Sequence, residues 1–250
     1  MGSRPGRGLA PVAAAQRRRH PMERSINAGN RTGTSYEGLA PLLAFVAGYV
    51  DATTFLAFGG LFVAQATGSL VVAGSAFEVG GADVLKLAAI PAFVLAGVLT
   101  TAVVRSFGPE REHALAAALF MEAALVAGLA LSALLTPGDP LLPALFGLGA
   151  MGVQSALVRL LLSSGSTNVM TTNLTQLSID LEGALAGFAR RRTDRAALAS
   201  LRRVALLVLG FLAGVLVGSV GFHIAGSAGV VLMVAVLAAL SLSAWIHALP

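Results

Sequence analysis

Apolar runs separated by short polar breaks fill the chain from about residue 39 to its C-terminal end. They fall at about 39–58, 61–77, 84–104, 113–135, 141–162, 166–187, 201–222 and 226–248. Runs of this length with few charges predict helices that cross a bilayer. They lack the strict alternation of barrel strands, and a bilayer admits only helices or closed barrels. Six runs read as convincing spans. The second is short and carries Gln65, Thr67 and Ser69. The sixth, "STNVMTTNLTQLSIDLEGALAG", holds Asn168, Asn173, Gln176, Asp180 and Glu182. An acid near the centre of a span costs about 2.5–3.5 kcal/mol on insertion scales, so this segment is not expected to cross facing lipid.

Composition agrees with a membrane chain. It is 56% hydrophobic and 12% charged, where a soluble domain has about 25% charged residues. Mean hydropathy is +0.82. There is no cysteine, which excludes disulfides and thiolate metal sites. His20, His113, His223 and His247 make no ligand spacing, so no metal or other cofactor is expected. No enzyme signature is present. "SSGS" (163–166) lacks a His/Asp partner, and "GYVD" lacks the second aspartate of an intramembrane aspartyl protease. There is no phosphate-binding loop. Seven arginines precede residue 39. Without interleaved aromatics they do not point to nucleic acid. They read as a disordered basic cytoplasmic tail over residues 1–37 that orients the first helix. Translation beginning at Met22 would remove much of it.

Weak internal similarity divides the rest into halves of about 38–135 and 136–248. "GYVDA" (48–52) aligns with "GVQSA" (152–156), and "QATGSL" (65–70) with "NLTQLS" (173–178). "LAGVL" (95–99) recurs at 212–216, and "LALSALL" (129–135) resembles "LSLSAWI" (240–246). The two polar segments occupy matching places. Charge bears on the topology. With eight crossings and an internal N-terminus, 14 of the 17 Lys/Arg are inside and 3 outside; with six crossings the split is 16 to 1, Lys86 alone being external. The positive-inside rule favours six. The two halves then enter the membrane in opposite senses, and polar interruptions at matching places of inverted halves point to a transporter binding site. The expected fold is all-α: a polytopic membrane protein with six crossings and two re-entrant or broken helices in two inverted repeats.

The polar knots carry the candidate chemistry. Gly59-Gly60 in the first half and Gly165 in the second allow the chain to turn back. Thr67, and Thr172 or Thr175, suit N-caps of the half-helices that follow. Two helix N-termini aimed at mid-depth favour an anion or a polar acceptor. Gln65, Thr67, Gly68, Ser69, Gln154, Ser155, Thr172, Asn173 and Thr175 are the expected substrate-binding residues. The same residue types also serve close helix packing. Asp51 lies near mid-depth of the first span, where an ionisable residue is a functional hypothesis by default. It reads either as a proton carrier or as a polar clasp, ion-paired with Arg159. Glu122 is the second proton-coupling candidate. Asp180 and Glu182 are expected to face Arg190-Arg191-Arg192.

"GYVDATTFLAFGGLFVAQATGSLVVAG" and "GVQSALVRLLLSSGSTNVMTTNLTQLS" resemble the two signatures of the YoaK-like bacterial membrane proteins, a family of unknown function. Gln65, Ser69 and Ser155 stand where that family usually has Asn, and Gln176 where it has Gly. The resemblance implies a multi-pass protein of the bacterial plasma (inner) membrane. It brings no substrate. The function expected from the residues is a secondary transporter of a small polar or anionic solute, coupled to protons. A passive channel and a non-transporting scaffold or accessory protein are the alternatives. Expected partners are the lipid bilayer, the solute and a second copy, since about 210 membrane residues enclose only a small cavity. Both termini are expected in the cytoplasm.

Overall fold

A computed structural model describes residues 38–76, 89–162, 165–189 and 195–248. The expected basic tail, Met22, Lys86 and Arg190–Arg192 lie outside them. Every regular element among the described residues is helical. In chain order these are α1 (Leu39–Ala57), α2 (Ala66–Ala76), α3 (Ala89–Ser106), α4 (Arg111–Leu135), α5 (Leu141–Leu157), α6 (Met170–Ala189), α7 (Arg195–Ala225) and α8 (Val231–Ala248). A π-turn, Val158–Leu162, extends α5, and a 3-10 turn, Gly226–Val230, joins α7 to α8.

Five stretches are long and apolar enough to cross a membrane: Leu39–Ala57, Ala89–Ser106, Arg111–Leu135, Leu141–Leu162 and Arg195–Ala248. The last holds both α7 and α8. Exposed apolar ridges fit these helices to lipid: Val94, Leu95, Val98 and Leu99 on α3, and Leu209, Leu212, Leu216 and Val220 on α7. The polar residues within them mostly bond their own helix. Thr53 and Thr54 donate to Tyr49 and Val50 carbonyls, Thr100 to Ala96, and Ser132 to Gly128. Such back-bonding removes the cost of a free hydroxyl at depth. The two polar segments form α2 and α6, which are not among the five. At 11 residues, α2 reaches only about 16 Å.

Glycines set the packing. Pro41, Phe45 and Tyr49 of α1 meet Gly210, Gly214 and Gly218 of α7 in the same order, so the two helices run parallel. A Cβ on Gly218 would lie 2.6 Å from the Tyr49 carbonyl oxygen, and one on Gly48 would enter the Phe211 carbonyl. Only missing side chains allow backbones this close. Gly152 of α5 meets α3 in the same manner, 2.5 Å from the Phe93 carbonyl oxygen. On the α4–α5 face, Gly128 meets Phe146, Gly149 meets Leu125, and Gly147 meets Leu129. Residue numbers rise on one helix as they fall on the other, so α4 and α5 are antiparallel. Ser241 of α8 donates to the Ala116 carbonyl of α4, and His113 packs edge-on to Trp245. The α8 C-terminal end therefore lies beside the start of α4.

Candidate functional site

The chain breaks after α1 at Gly59 and Gly60, whose φ values of 62° and 90° belong to the left-handed region. The Gly60 amide reaches back to the Phe55 carbonyl. The chain then runs back beside α1. Asp51 Oδ1 accepts from the amides of Val63 and Ala64, both at 2.8 Å, and the carboxyl is 4% exposed. Ser69 Oγ accepts from the Phe62 amide and donates to the Phe62 carbonyl. One carboxylate and one hydroxyl thus serve the polar backbone of a buried non-helical strip, Leu61–Gln65.

The second break is built alike. After the π-turn the chain returns through Gly165–Val169. Asn168 donates through Nδ2 to Ser155 Oγ (2.8 Å) and to the Met151 carbonyl (3.2 Å). Gln154 Nε2 lies 2.9 Å from the Leu43 carbonyl, 2.8 Å from Thr167 Oγ1 and 3.0 Å from Asn168 Oδ1. Asn173 Nδ2 donates to the Ser166 carbonyl. The spacings match: thirteen residues from Asp51 to Ala64 and from Ser155 to Asn168, seven from Phe62 to Ser69 and from Ser166 to Asn173. The first helical residues, Ala66 and Met170, are 104 apart, as are Asp51 and Ser155. That spacing differs from the 108 residues between "QATGSL" and "NLTQLS". Gln65–Leu70 corresponds to Val169–Leu174, and Ser69 to Asn173.

Several expected roles change with that register. Thr67 lies inside the first turn of α2 and is exposed, with Gln65 before it, so it does not cap α2. Thr172 and Thr175 are exposed on α6, and Thr175 donates to the Thr171 carbonyl within the helix. Neither caps α6. Ser166 Oγ accepts from the Val169 amide at 3.0 Å, in the turn that leads into α6. Gly68 packs against Phe62 and Gln65. Arg159 does not pair with Asp51. It is exposed in the π-turn, about 18 Å along α5 from Gly147, which touches the Asp51-bound strip through Val63. Asp180 is buried and accepts from Gln176 (2.8 Å) and from Ser200 of α7 (2.7 Å); its expected partners Arg190–Arg192 lie outside the described residues. Among the described residues the one ion pair is His113–Glu110. Glu122 is wholly buried in α4, and neither carboxyl oxygen has a partner.

The two clasps sit at different depths. Gln154 touches α1 at Leu43 and the other clasp at Asp51, eight residues or about 12 Å further on. Between them lie Ala44, Ala47, Gly48 and Ala150, all buried. Sequence reading missed Thr167, Asn168, Ser166 and the amides of Val63 and Ala64.

The model of a family described as "Protein of unknown function (DUF1275)" matches residues 39–243. No curated protein and no solved structure matches the chain.

Proposed function

Starting from the chain's membership of the DUF1275 family, whose activity is unassigned, we propose that it is a secondary transporter of a small polar or anionic solute in a bacterial plasma membrane. The observation that carries this reading is the shared hydrogen-bond spacing of the two clasps. It supports two inverted halves. α1 and α5 are the matching first helices and pack on α7 and α3, the third helices of the opposite half. Six helices then cross, and α2 and α6 return from opposite sides with their N-termini toward the interior. Amides at such ends attract acceptor groups, and this arrangement is used by transporters with broken helices. The exposed hydroxyls of Thr67 and Thr172 occupy the first turns of those ends, and Gln65 precedes one of them. The residues between the clasps are buried, so access requires the helices to part, first on one side and then on the other.

The test is flux. Purified protein in liposomes is scanned with small organic and inorganic anions and polar neutral solutes under an imposed pH gradient. At least one solute should move faster than in empty liposomes, and the same solute should raise the melting temperature in detergent. Absence of both across the panel removes the reading. A second reading follows from the polar side chains that the protein satisfies itself: Asp51, Ser69, Asn168 and Asn173. In a scaffold or accessory protein these would be packing devices. Their substitution would then lower stability with no solute-dependent shift at all.

A further inference from the structure

Glu122 is the least reconciled group in the molecule. Its side chain is 0% exposed, and neither carboxyl oxygen meets a donor. A carboxylate at depth without a donor is stable only when a proton or a cation neutralises it. The helix places it well. It lies eleven residues beyond Arg111 and thirteen before Leu135, so about 16 Å and 20 Å from the two ends of α4. Leu129 is two turns further along the same face and meets Gly147 and Val63. Glu122 therefore lies on the side of α4 that packs against α5. The antiparallel contacts Gly128–Phe146 and Leu125–Gly149 set its level opposite Gly152, within one turn of Gln154. Gln154 Oε1 is the other buried oxygen in the molecule's described part that has no partner.

No fixed charge competes at this level. On the elements packed against α4, the charged or titratable groups are Arg105 at the end of α3, Arg159 in the π-turn after α5 and His247 at the end of α8. The 3-10 turn has none, and the Tyr49 hydroxyl beside it donates to the Gly229 carbonyl. Arg111, Glu112 and His113 lie in the first turn of α4 itself, and the Arg111 guanidinium donates to the Leu161 carbonyl. Among the described residues no group of three His, Cys, Asp or Glu gathers to hold a metal. A proton needs one carboxyl oxygen and one acceptor; a bare cation needs several oxygens at once.

We propose that Glu122 is the site where the protein binds and releases the proton it couples to transport, and that Asp51 is not. Asp51 Oδ1 accepts from the Val63 and Ala64 amides, two donors that favour its charged form and that Glu122 lacks. The proton comes from water on one side, forms the O–H bond of the Glu122 carboxyl, and returns to water when the helices part. This rests on the transport reading, and the experiment separates the two. The carbonyl stretch of protonated carboxyl groups is followed by infrared difference spectroscopy of the purified full chain across pH. The wild type, Glu122→Gln, Asp51→Asn, and wild type grown on carboxyl-13C glutamate are compared. A titrating band is expected that shifts with labelled glutamate, is lost in Glu122→Gln and persists in Asp51→Asn. A band unmoved by the label, retained in Glu122→Gln, or absent from the wild type overturns the proposal; the label separates glutamate from aspartate but marks all seven glutamates, so where Glu122→Gln misfolds, Glu122→Asp decides, and a band it leaves unmoved overturns the proposal too. If the band belongs to Glu122 but no solute moves with the pH gradient, the transport reading falls and the proton site stands.

Discussion

Asp51 shows how a single side chain can substitute for a missing hydrogen-bond ladder. Its Oδ1 serves two amides of a strip that has left one helix and not yet begun the next. Asp51→Ala would leave both amides buried and unpaired, at about 1–3 kcal/mol each. Its melting temperature in detergent should fall well below that of Asp51→Asn, which keeps an acceptor oxygen. Equal melting curves for the two variants would contradict the clasp. The anomaly of an acid in an apolar run was legible in the sequence. Its partners were not, because backbone amides leave no mark in a residue pattern. The Asp51–Arg159 pairing failed for a related reason: opposite charge was read without depth, and the π-turn places Arg159 at the helix end. Ser69 and Asn173 were both chosen, but the 104-residue spacing between their like hydrogen bonds was hidden by a four-residue slip. Small polar residues are too common here for short matches to fix a register.

At the scale of elements, closeness is set by glycine. Gly48, Gly152, Gly214 and Gly218 each let a partner backbone occupy the space of a Cβ. Gly214→Ala should destabilise by at least the 1–3 kcal/mol typical of overpacking, because the atom it meets is main chain and cannot rotate away. Gly74→Ala on α2 is the control, with nothing within 4 Å of the new carbon. Comparable thermal stability of the two variants would refute the tight α1–α7 seam. α6 depends on a different device. Asp180 draws it onto α7 through Ser200, and Ser200→Ala should cost about 1 kcal/mol, read as faster proteolysis of the α6–α7 connection. Helix existence and approximate extent were readable from the apolar periodicity. Helix partners were not, since any Gly-rich face in lipid is a candidate contact until a second helix is seen against it.

For the whole molecule the open quantity is the number of crossings. α2 is too short and α6 too polar to join the five apolar stretches. With six crossings, the turn after α3 lies on the inner side and the turn after α4 on the outer side. The chain has no cysteine, so Ser106→Cys and Asp139→Cys can be labelled singly in intact cells; both positions are exposed. An impermeant maleimide should modify Asp139→Cys and spare Ser106→Cys. External labelling of Ser106→Cys would restore the eight-crossing order. The charge count of the sequence can bear on this because Arg105, Arg111 and Arg159 sit at the ends of α3, α4 and α5 rather than along them.

The parallel seam between α1 and α7 also sets a schedule for biogenesis. α1 is complete when residue 57 has been made, but its principal neighbour ends at residue 225. At 5–20 residues per second, the ribosome needs roughly 8–34 s to supply it. Throughout that interval a helix with an acid at its centre waits in the bilayer or at the insertion machinery without its glycine-lined mate. The two halves are thus separable as polypeptides but not as folding units. Fragments 1–137 and 138–250 should each be degraded when made alone and rescue one another when made together.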